Sequence, residues 1–381
     1  MRIVHIISGL GQGGAEAVLW RLVTATKDRY AHLVVSLSKD RYYESRLLSV
    51  GAKVVVLDMP RGRVTAYGFW QLISTIRTFS PDLVQTWMYH ANFLGSIASL
   101  LSGYPCLWGL HNAALDPSRV KLSTRAVAAA CAPLSHLLPH LVVSCSQAGA
   151  RSHLKMGYAA RRMRVIPNGY DVEVFAPDPE GGLRLRRSLG VADDAHVVGM
   201  VARWDPIKDH ATFFAAAARL VVLDQRVHFV LCGEGITCAN EKLSELVNRH
   251  GLRNQVRLLG PRDDIATVFS SFDIHVLSSR SEAFPNVVAE AMACEVSCVV
   301  TDVGDAALIV GSTGLVVPPG RPDILADAMY QGVCSLASGG LGQEARRRIV
   351  CEFSIARMVA RYSALFEGAA LDAKSAFSTV I

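Results

Sequence analysis

The sequence has few charged residues, few aromatic residues and no cysteine pair at metal-binding spacing. Only 19% of its 381 residues are charged and 7% are aromatic, whereas 51% are hydrophobic. The nine cysteines are scattered, and none has the spacing of a zinc knuckle. No two aspartates are two positions apart, so the chain has no Asp-x-Asp motif that could hold a divalent cation. We therefore predict a globular protein with no metal site and no disulfide framework, as expected in a reducing cytoplasm.

Two stretches without any charged residue, 83–115 and 126–150, are long enough to cross a membrane. Both contain histidine, proline and glutamine, and the first also contains asparagine, so we predict helices followed by buried strands instead. The apolar run Ile3–Ile7 is short and leads into glycines, which favours a first strand over a signal peptide.

Apolar runs typical of β-strands alternate with helix-like segments along the whole chain. This alternation predicts parallel sheets with crossover helices, the α/β class. The first half contains strand-like runs at Ile3–Ile7, Leu33–Leu37, Val54–Leu57, Leu83–Thr86, Cys106–Leu110 and Leu141–Ser144. The second half contains them at Val197–Val201, Phe229–Cys232, Val256–Leu259, Ile274–Leu277 and Ser297–Thr301.

The turn signal Pro167-Asn168-Gly169 separates the two halves. We predict two Rossmann-like doubly wound domains, 1–170 and 171–354, facing across a cleft, and a C-terminal helix and tail, 355–381, that packs back toward the first domain. Residues 1–175 contain 19 Lys and Arg against 9 Asp and Glu, a net charge of +10, and the remainder has 20 against 24, a net charge of −4. A basic first half indicates an anionic partner for that half.

A glycine loop, residues 9–14, follows the first strand and opens a helix. Gly9, Gly11 and Gly14 match the dinucleotide-binding fingerprint, which keeps a nicotinamide-dependent oxidoreductase open as an alternative. That fingerprint requires an acidic residue about 20 positions later. Here the acidic residue is Asp40, next to Lys39 and farther along than the motif requires, which weakens this interpretation. A tight turn that binds no ligand also remains open.

Two segments of the second half place polar residues at predicted strand ends. Arg203 and Lys208 follow the strand Val197–Val201, where a guanidinium and an ammonium could grip a diphosphate. In the second segment Pro285 suits a first helical position, which would leave the amides of Asn286 and Val287 as donors for an anion. Glu282 precedes this helix and Glu290 lies in it, and a carboxylate can accept hydrogen bonds from vicinal hydroxyls.

The Glu282-x7-Glu290 spacing resembles that of the retaining glycosyltransferases, and the whole segment resembles glycosyltransferase family four. Further segments resemble the same family in order and spacing over residues 2–366, and two of them resemble bacterial polysaccharide-building members. The further segments are 165–175, Arg203 with Lys208, 232–235 and 314–317, and those resembling the bacterial members are 85–92 and 108–112.

The resemblance implies the GT-B architecture and a role for each site residue. Arg203 and Lys208 would hold the donor diphosphate, Glu290 the nucleotide ribose and Glu282 the transferred sugar. The remaining candidates are Phe284, Pro285, Asn286 and Val287 at the donor, Gly13 and Gly14 toward the phosphate and the acceptor, and His111 near the sugar. His111 could equally be a strand-end histidine with satisfied hydrogen bonds. Glu295 and Ser297 stand where relatives carry Gly and Pro, which puts the geometry of that turn in question.

The resemblance implies a hexosyltransferase that retains anomeric configuration and uses neither a metal ion nor a cofactor. The donor would be a nucleotide sugar, UDP-linked rather than GDP-linked, and the acceptor a glycan or lipid-linked sugar of a bacterial surface polysaccharide. We expect no nucleic-acid partner. A cytoplasmic protein could bind peripherally to the anionic inner face of the cell membrane through Arg61, Arg63, Arg119, Lys121 and Arg125. A catalytically silent membrane-associated partner of the same fold is a further alternative.

Overall fold

A computed structural model describes residues 1–60, 62–112, 121–336 and 341–378 of the chain. The chain divides into two compact units. The N-terminal unit comprises Met1–Gly169 with Ile355–Ile381, and the C-terminal unit comprises Tyr170–Ser354. Each unit holds one parallel sheet with helices between successive strands. The predicted α/β class, with two Rossmann-like halves, is therefore confirmed.

The described residues of the N-terminal unit form seven strands. They are β1 (Arg2–Ile7), β2 (Ala31–Ser36), β3 (Lys53–Val56), β4 (Leu83–Trp87), β5 (Cys106–Leu110), β6 (Leu141–Ser144) and β7 (Met163–Val165). The strands lie in the order β3-β2-β1-β4-β5-β6-β7, all parallel. The helices between them are α1 (Gly14–Thr26), α2 (Glu44–Ser49), α3 (Ala66–Phe79), α4 (Tyr89–Ser102), α5 (Leu122–Leu134) and α6 (Gln147–Lys155).

In the part of the C-terminal unit that the structure describes, six parallel strands lie in the order β10-β9-β8-β11-β12-β13. They are β8 (His196–Val201), β9 (Val227–Cys232), β10 (Val256–Leu258), β11 (Ile274–Leu277), β12 (Ser297–Thr301) and β13 (Gly314–Val317). The helices of this unit are α7 (Pro179–Ser188), α8 (His210–Leu223), α9 (Glu241–Arg249), α10 (Ile265–Ser270), α11 (Asn286–Ala293), α12 (Ala306–Val310), α13 (Pro322–Ser335) and α14 (Gly342–Glu352). Short 3-10 helices cover Ala160–Arg162, Pro206–Lys208 and Gly311–Thr313.

Both sheets reverse their strand order beside their first strand. Strand β1 lies between β2 and β4, and β8 lies between β9 and β11. Helices cover both faces, so the central strands are continuous apolar runs rather than alternating ones. Ligands in such sheets bind outside the carboxyl ends of the strands at this reversal. The loops that follow β1 and β8, which carry the glycines and Arg203, therefore occupy the expected ligand-binding positions of their units.

The last helix, α15 (Ile355–Ser378), belongs to the N-terminal unit and packs on α1. Its Met358, Tyr362 and Phe366 are buried in the same core as Ile3 and Leu19. The charge-free stretches form separate strands and helices, as expected. Among the described residues, no helix combines the length and the hydropathy of a membrane span.

The turn after α11 keeps a left-handed residue although it has no glycine there. Glu295 has φ of +63°, a conformation that glycine adopts without steric cost. Its amide donates to the Met292 carbonyl oxygen, and its side chain is exposed. The turn whose geometry the sequence put in question therefore has the geometry expected with glycine. A glutamate adopts it here, with backbone strain at that residue.

The two units carry opposite charge. The N-terminal unit has 22 Lys and Arg against 9 Asp and Glu, a net charge of +13, whereas the C-terminal unit has 17 against 24, a net charge of −7. Helix α15 contributes to this contrast because it adds its arginines to the basic unit. The charge difference between the two units is therefore larger than that between residues 1–175 and the rest of the sequence.

Candidate active site

Arg203 lies just beyond the carboxyl end of β8 and is 56% exposed. Its Nη2 and Nε donate to Asp205 Oδ2 at 2.9 and 3.1 Å. The other oxygen of Asp205 accepts from the amide of Ile207 and so begins the 3-10 helix Pro206–Lys208. A guanidinium has five N–H groups, and Asp205 receives two of them. Arg203 is therefore oriented by its neighbour and keeps donors for an anion at this edge of the sheet.

Lys208 and Glu282 form one ion pair. Lys208 Nζ lies 2.6 Å from Glu282 Oε1, and the two side chains are only 15% and 14% exposed. The hydroxyl of Ser279 donates to the same oxygen at 2.8 Å. The resemblance to family four implied separate roles for these two residues, on the diphosphate and on the sugar. The structure brings them together as a single charged unit.

The backbone under Lys208 is fixed by two residues that the sequence analysis missed. Ser278 Oγ donates to the Lys208 carbonyl oxygen at 2.8 Å. Asp209 has φ of +51° and accepts from Arg280 Nε at 2.7 Å and from Thr212 Oγ1 at 2.7 Å. Burial opposes the charge of Asp209, but the hydrogen bonds from Arg280 and Thr212 hold its pKa below the usual value. Arg280 lies two residues before Glu282, so one loop of the sheet edge supports both members of the ion pair.

Helix α11 begins at Asn286, one residue later than predicted, with Pro285 as the residue that precedes it. A helix leaves its first N–H groups without partners in the helix itself, and its N-terminus favours negative charge. Asn286 Oδ1 accepts from Tyr170 Oη at 2.6 Å, and the ring of Tyr170 stacks on Phe284. Tyr170 follows the Pro-Asn-Gly turn and was not predicted as a site residue. Val287 and Glu290 lie in α11, and Glu290 is only 8% exposed.

The loop of Glu282 is crossed closely by the loop after β12. Gly304 has φ of +59°, and a Cβ on it would lie 2.4 Å from the Glu282 carbonyl oxygen and 2.6 Å from that of Ala283. The Asp305 amide donates to the same Ala283 oxygen. Only glycine permits this approach, so Gly304 fixes the backbone from which Glu282 projects.

In the N-terminal unit, a carboxylate occupies the space in front of the glycine loop. Gly13 precedes the first residue of α1, Gly14, and a Cβ on Gly13 would lie 2.4 Å from Glu16 Oε2. Burial raises the pKa of Glu16, and the nearby charge of Asp40 raises it further. The predicted approach of a phosphate to Gly13 and Gly14 stays a prediction, and this carboxylate disfavours it.

His111 follows β5 and stacks on Trp87 with ring centroids 5.1 Å apart. Burial lowers the pKa of His111 to about 4, so the ring is neutral at pH 7. Its Nε2 is buried and has no hydrogen-bond partner in the described part of the chain. His111 is therefore not a strand-end histidine with all its hydrogen bonds satisfied, and because Nε2 is shielded from solvent, its place near the sugar stays a prediction.

Trp87 is itself held by an ordered chain of hydrogen bonds. Trp87 Nε1 lies 3.3 Å from His5 Nδ1, His5 Nε2 lies 3.0 Å from His32 Nδ1, and His32 Nε2 lies 3.0 Å from Thr26 Oγ1. An indole N–H can only donate, and the Thr26 hydroxyl already donates to the Leu22 carbonyl oxygen. Both histidines must then carry their proton on Nε2. The chain runs in one direction and supports the ring on which His111 stacks.

Comparisons with known proteins agree with this fold. The family model described as "Glycosyltransferase Family 4" matches residues 12–174, and that described as "Glycosyl transferases group 1" matches residues 195–333. The chain is 25% identical over 321 residues to the putative glycosyltransferase EpsF of Bacillus subtilis, covering 79% of each protein. It is 25% identical over 292 residues to an Escherichia coli enzyme named UDP-Gal:alpha-D-GlcNAc-diphosphoundecaprenol alpha-1,3-galactosyltransferase, covering 75% of each.

Among solved structures, Anabaena HepE in complex with UDP and glucose superposes with a TM-score of 0.85. It is 25% identical to this chain, and the match covers 97% of this chain and all of HepE. The two family models together span most of both units, and the fold agrees across nearly the whole length. The chain therefore belongs to the glycosyltransferases of family four and has the GT-B architecture.

Proposed function

We propose that this glycosyltransferase moves a hexose from a nucleoside diphosphate donor, UDP-linked rather than GDP-linked, to a glycan or lipid-linked acceptor in the synthesis of a bacterial surface polysaccharide. The observation that supports a nucleoside diphosphate donor is that two cations lie at one edge of the sheet. Arg203 follows β8, and Lys208 is held in place by Glu282 in the loop before α11. HepE with bound UDP and the UDP-galactose enzyme of E. coli support the choice of uridine.

Each of these residues would bind one part of the donor, according to its chemistry. Arg203 and Lys208 supply charge-assisted hydrogen bonds to the diphosphate, and the amides of Asn286 and Val287 at the start of α11 add to them. Glu290 accepts from the hydroxyls of the ribose. Glu282 accepts from the hydroxyls of the transferred sugar while it also orients Lys208. Phe284 and Pro285 shape the backbone between the two glutamates.

Departure of the nucleoside diphosphate concentrates negative charge on its outer phosphate. Arg203, Lys208 and the N-terminus of α11 can stabilise that charge without a metal ion, since preorganised cations and dipoles act at the leaving group. The sequence has no Asp-x-Asp motif, which fits this proposal. Activity should then survive an excess of EDTA. Loss of activity that Mg²⁺ or Mn²⁺ restores would refute metal independence.

Retention of the anomeric configuration would follow a same-face route. The departing phosphate helps to remove the proton of the acceptor hydroxyl, and the new bond forms on the side that the phosphate leaves. His111 is neutral at pH 7, so a place near the sugar would add no charge there. The anomeric configuration of the product, read by NMR, tests this part of the proposal.

A membrane surface would supply a lipid-linked acceptor, and the N-terminal unit has features suited to one. Of the contacts predicted from the sequence, Arg61 and Arg119 lie outside the described residues, while Arg63 and Lys121 are exposed and Arg125 is partly exposed. Tyr67 and Trp70 on α3 are 79% and 66% exposed. Both side chains line one groove with Arg2 and Lys53. Aromatic rings beside cations suit the interface of an anionic membrane.

The decisive experiment for the function is donor binding followed by turnover. Calorimetric titration of the purified protein with UDP and GDP should give binding for UDP, and mass spectrometry should detect slow hydrolysis or transfer from at least one UDP-sugar. Binding without any turnover would favour the catalytically silent partner of the same fold. The comparisons give no support to the nicotinamide-dependent oxidoreductase, and stabilisation by NAD would be the result that revives it.

A further inference from the structure

The chain enters the C-terminal unit at Tyr170 and leaves it at Ser354, and these two crossing points are joined. The Tyr170 amide donates to the Phe353 carbonyl oxygen at 2.9 Å, and Tyr170 forms a parallel β-bridge with Ser354. The Tyr170 side chain is completely buried. The last residues of the unit therefore hold the backbone of its first residue in place.

The ring of Tyr170 packs on the loop that carries Glu282. It stacks on the Phe284 ring with centroids 6.5 Å apart and an angle of 16° between the planes. The Phe353 ring lies 5.7 Å from the same Phe284 ring. Both crossing points thus contribute an aromatic ring to one cluster, and the middle ring of this cluster belongs to the loop between Glu282 and α11.

The hydroxyl of Tyr170 reaches the first residue of α11. Tyr170 Oη donates to Asn286 Oδ1 at 2.6 Å. A carboxamide has an oxygen that accepts hydrogen bonds and an NH2 group that donates them. Because Tyr170 binds the oxygen, the other end of the Asn286 carboxamide carries the N–H groups. The hydrogen bond therefore fixes which end of this side chain faces away from Tyr170.

This orientation suits an anion at the start of α11. Ionised phosphate oxygens accept hydrogen bonds, so an N–H group can bind one of them, whereas an amide oxygen would oppose it. The first N–H groups of a helix also favour negative charge. If the Asn286 carboxamide turned over, its oxygen would take the place of the NH2 group and would repel a phosphate there.

We propose that Tyr170 is a positioning residue for the donor and holds Asn286 with its N–H end toward the diphosphate. The proposal rests on the proposed function and adds to it a residue that acts through Asn286 rather than by touching the donor. The ring of Tyr170 supports the loop, and its hydroxyl orients the carboxamide. Phenylalanine keeps the ring and lacks only the hydroxyl, so the two contributions can be separated.

A double-mutant cycle, measured by calorimetric titration with UDP, tests the proposal. Tyr170→Phe and Asn286→Ala should each weaken UDP binding about tenfold, because the first releases the carboxamide and the second removes it. Tyr170→Phe should cost no further affinity when Asn286→Ala is already present, since the hydroxyl acts only through that side chain. Uridine has no phosphate, so its binding, followed by saturation-transfer NMR, should be the same in these variants and in the intact protein.

Asn286→Asp tests the orientation directly. It keeps an oxygen that accepts from Tyr170 but replaces the NH2 group with a second, charged oxygen. UDP should then bind at least about tenfold more weakly, because like charges repel. Tyr158→Phe is the matched control, since it removes a buried tyrosine hydroxyl that donates to the Ala128 carbonyl oxygen at 3.0 Å in the N-terminal unit. It should leave UDP affinity unchanged.

Four results would each overturn the role of Tyr170. They are UDP binding by Tyr170→Phe that equals the control, an equal loss with and without the Asn286 carboxamide, a parallel loss of uridine binding, and full UDP affinity in Asn286→Asp. Any of them, with UDP bound normally by the intact protein, leaves the proposed function standing. If the intact protein binds neither UDP nor GDP, the proposed donor fails, and the role of Tyr170 fails with it.

Discussion

Lys208 Nζ and Glu282 Oε1 lie 2.6 Å apart, in side chains that are about 85% shielded from solvent. A phosphate that approaches Lys208 therefore also approaches a carboxylate. The pair orients the ammonium before any donor arrives, and the donor sugar would meet the same carboxylate. Because the two groups act as one unit, substitutions at either position should not have independent effects.

A double-mutant cycle should show this coupling. Lys208→Ala and Glu282→Ala are each expected to lower turnover about 100-fold, while the double substitution should cost far less than the product of the two. Each single change also leaves a poorly solvated charge without its partner and should lower the free energy of unfolding. Turnover and urea denaturation measure the two effects. The exposed pair Arg249–Glu245 serves as control, because its removal should change stability by no more than about 0.5 kcal/mol. Additive effects at Lys208 and Glu282 would contradict the coupling.

The two glutamates should differ in their effect on nucleotide affinity. Glu290→Gln is expected to weaken UDP binding about tenfold, because the hydrogen bond from a ribose hydroxyl to the buried carboxylate on α11 would be lost. Glu282→Gln should leave UDP affinity intact or raise it, since Lys208 is released from its carboxylate partner, yet sugar transfer should fall. Calorimetric titration with UDP beside transfer assays checks both. Equal loss of UDP affinity in the two variants would refute the division of roles.

Acid should destabilise the N-terminal unit through its buried histidines. Burial lowers the pKa of His32 to about 4 and that of His5 well below its usual value. Each folded-state pKa is below the unfolded value near 6.5, so the unfolded chain binds more protons as the pH falls from about 6.5 to 4. The stability that is present above pH 6.5 is lost in this window, at roughly 3 kcal/mol for His32 alone.

Tryptophan fluorescence can follow this loss, since Trp20, Trp70, Trp87 and Trp108 lie in the N-terminal unit. His32→Gln should be less stable than the intact protein at pH 7 and should lose less between pH 6.5 and 4. His250→Gln in the other unit is the control and should keep the full pH dependence. The argument fails if His32→Gln titrates like the intact protein.

Replacement of Glu295 by glycine should stabilise the protein. The left-handed conformation costs a residue with a side chain roughly 1–2 kcal/mol, and glycine avoids this cost. Part of the gain is lost because glycine gives the unfolded chain more conformational entropy. We expect Glu295→Gly to raise the free energy of unfolding by up to about 1 kcal/mol. Glu295→Ala keeps the Cβ and should give no such gain. Urea denaturation compares the two, and equal stability of both variants would show that the turn is not strained.

Liposome flotation tests the proposed binding of the N-terminal unit to an anionic membrane. The protein should float with anionic vesicles at low salt, remain behind with neutral vesicles and detach as salt screens the attraction. Tyr67→Ala and Trp70→Ala should weaken flotation at constant net charge, because the exposed rings of α3 enter the interface. Tyr330→Ala is the control, an exposed tyrosine in the acidic unit. Flotation that is equal with both vesicle types, or unaffected at Tyr67 and Trp70, would end this proposal.

The sequence alone determined the α/β class, the two halves and the family. Strands buried on both faces must be apolar throughout, so their runs are visible in the sequence, and Glu282-x7-Glu290 with Arg203 and Lys208 lies at the ends of such runs. Strand β7 was missed because it has only three residues and is not fully buried. The glycine loop was visible too, but not the carboxylate that fills the space in front of it.

Only the tertiary structure decided which polar groups meet. Lys208 and Glu282 are far apart in sequence, and they pair because the ends of β8 and β11 are neighbours in the sheet. The same holds for Trp87 with His5, and for Gly304 beneath Glu282, whose closeness depends on backbone approach rather than on any local pattern. Periodicity and spacing record which residues are buried and where strands end. Side-chain distances and buried pKa values arise only when distant segments are packed together.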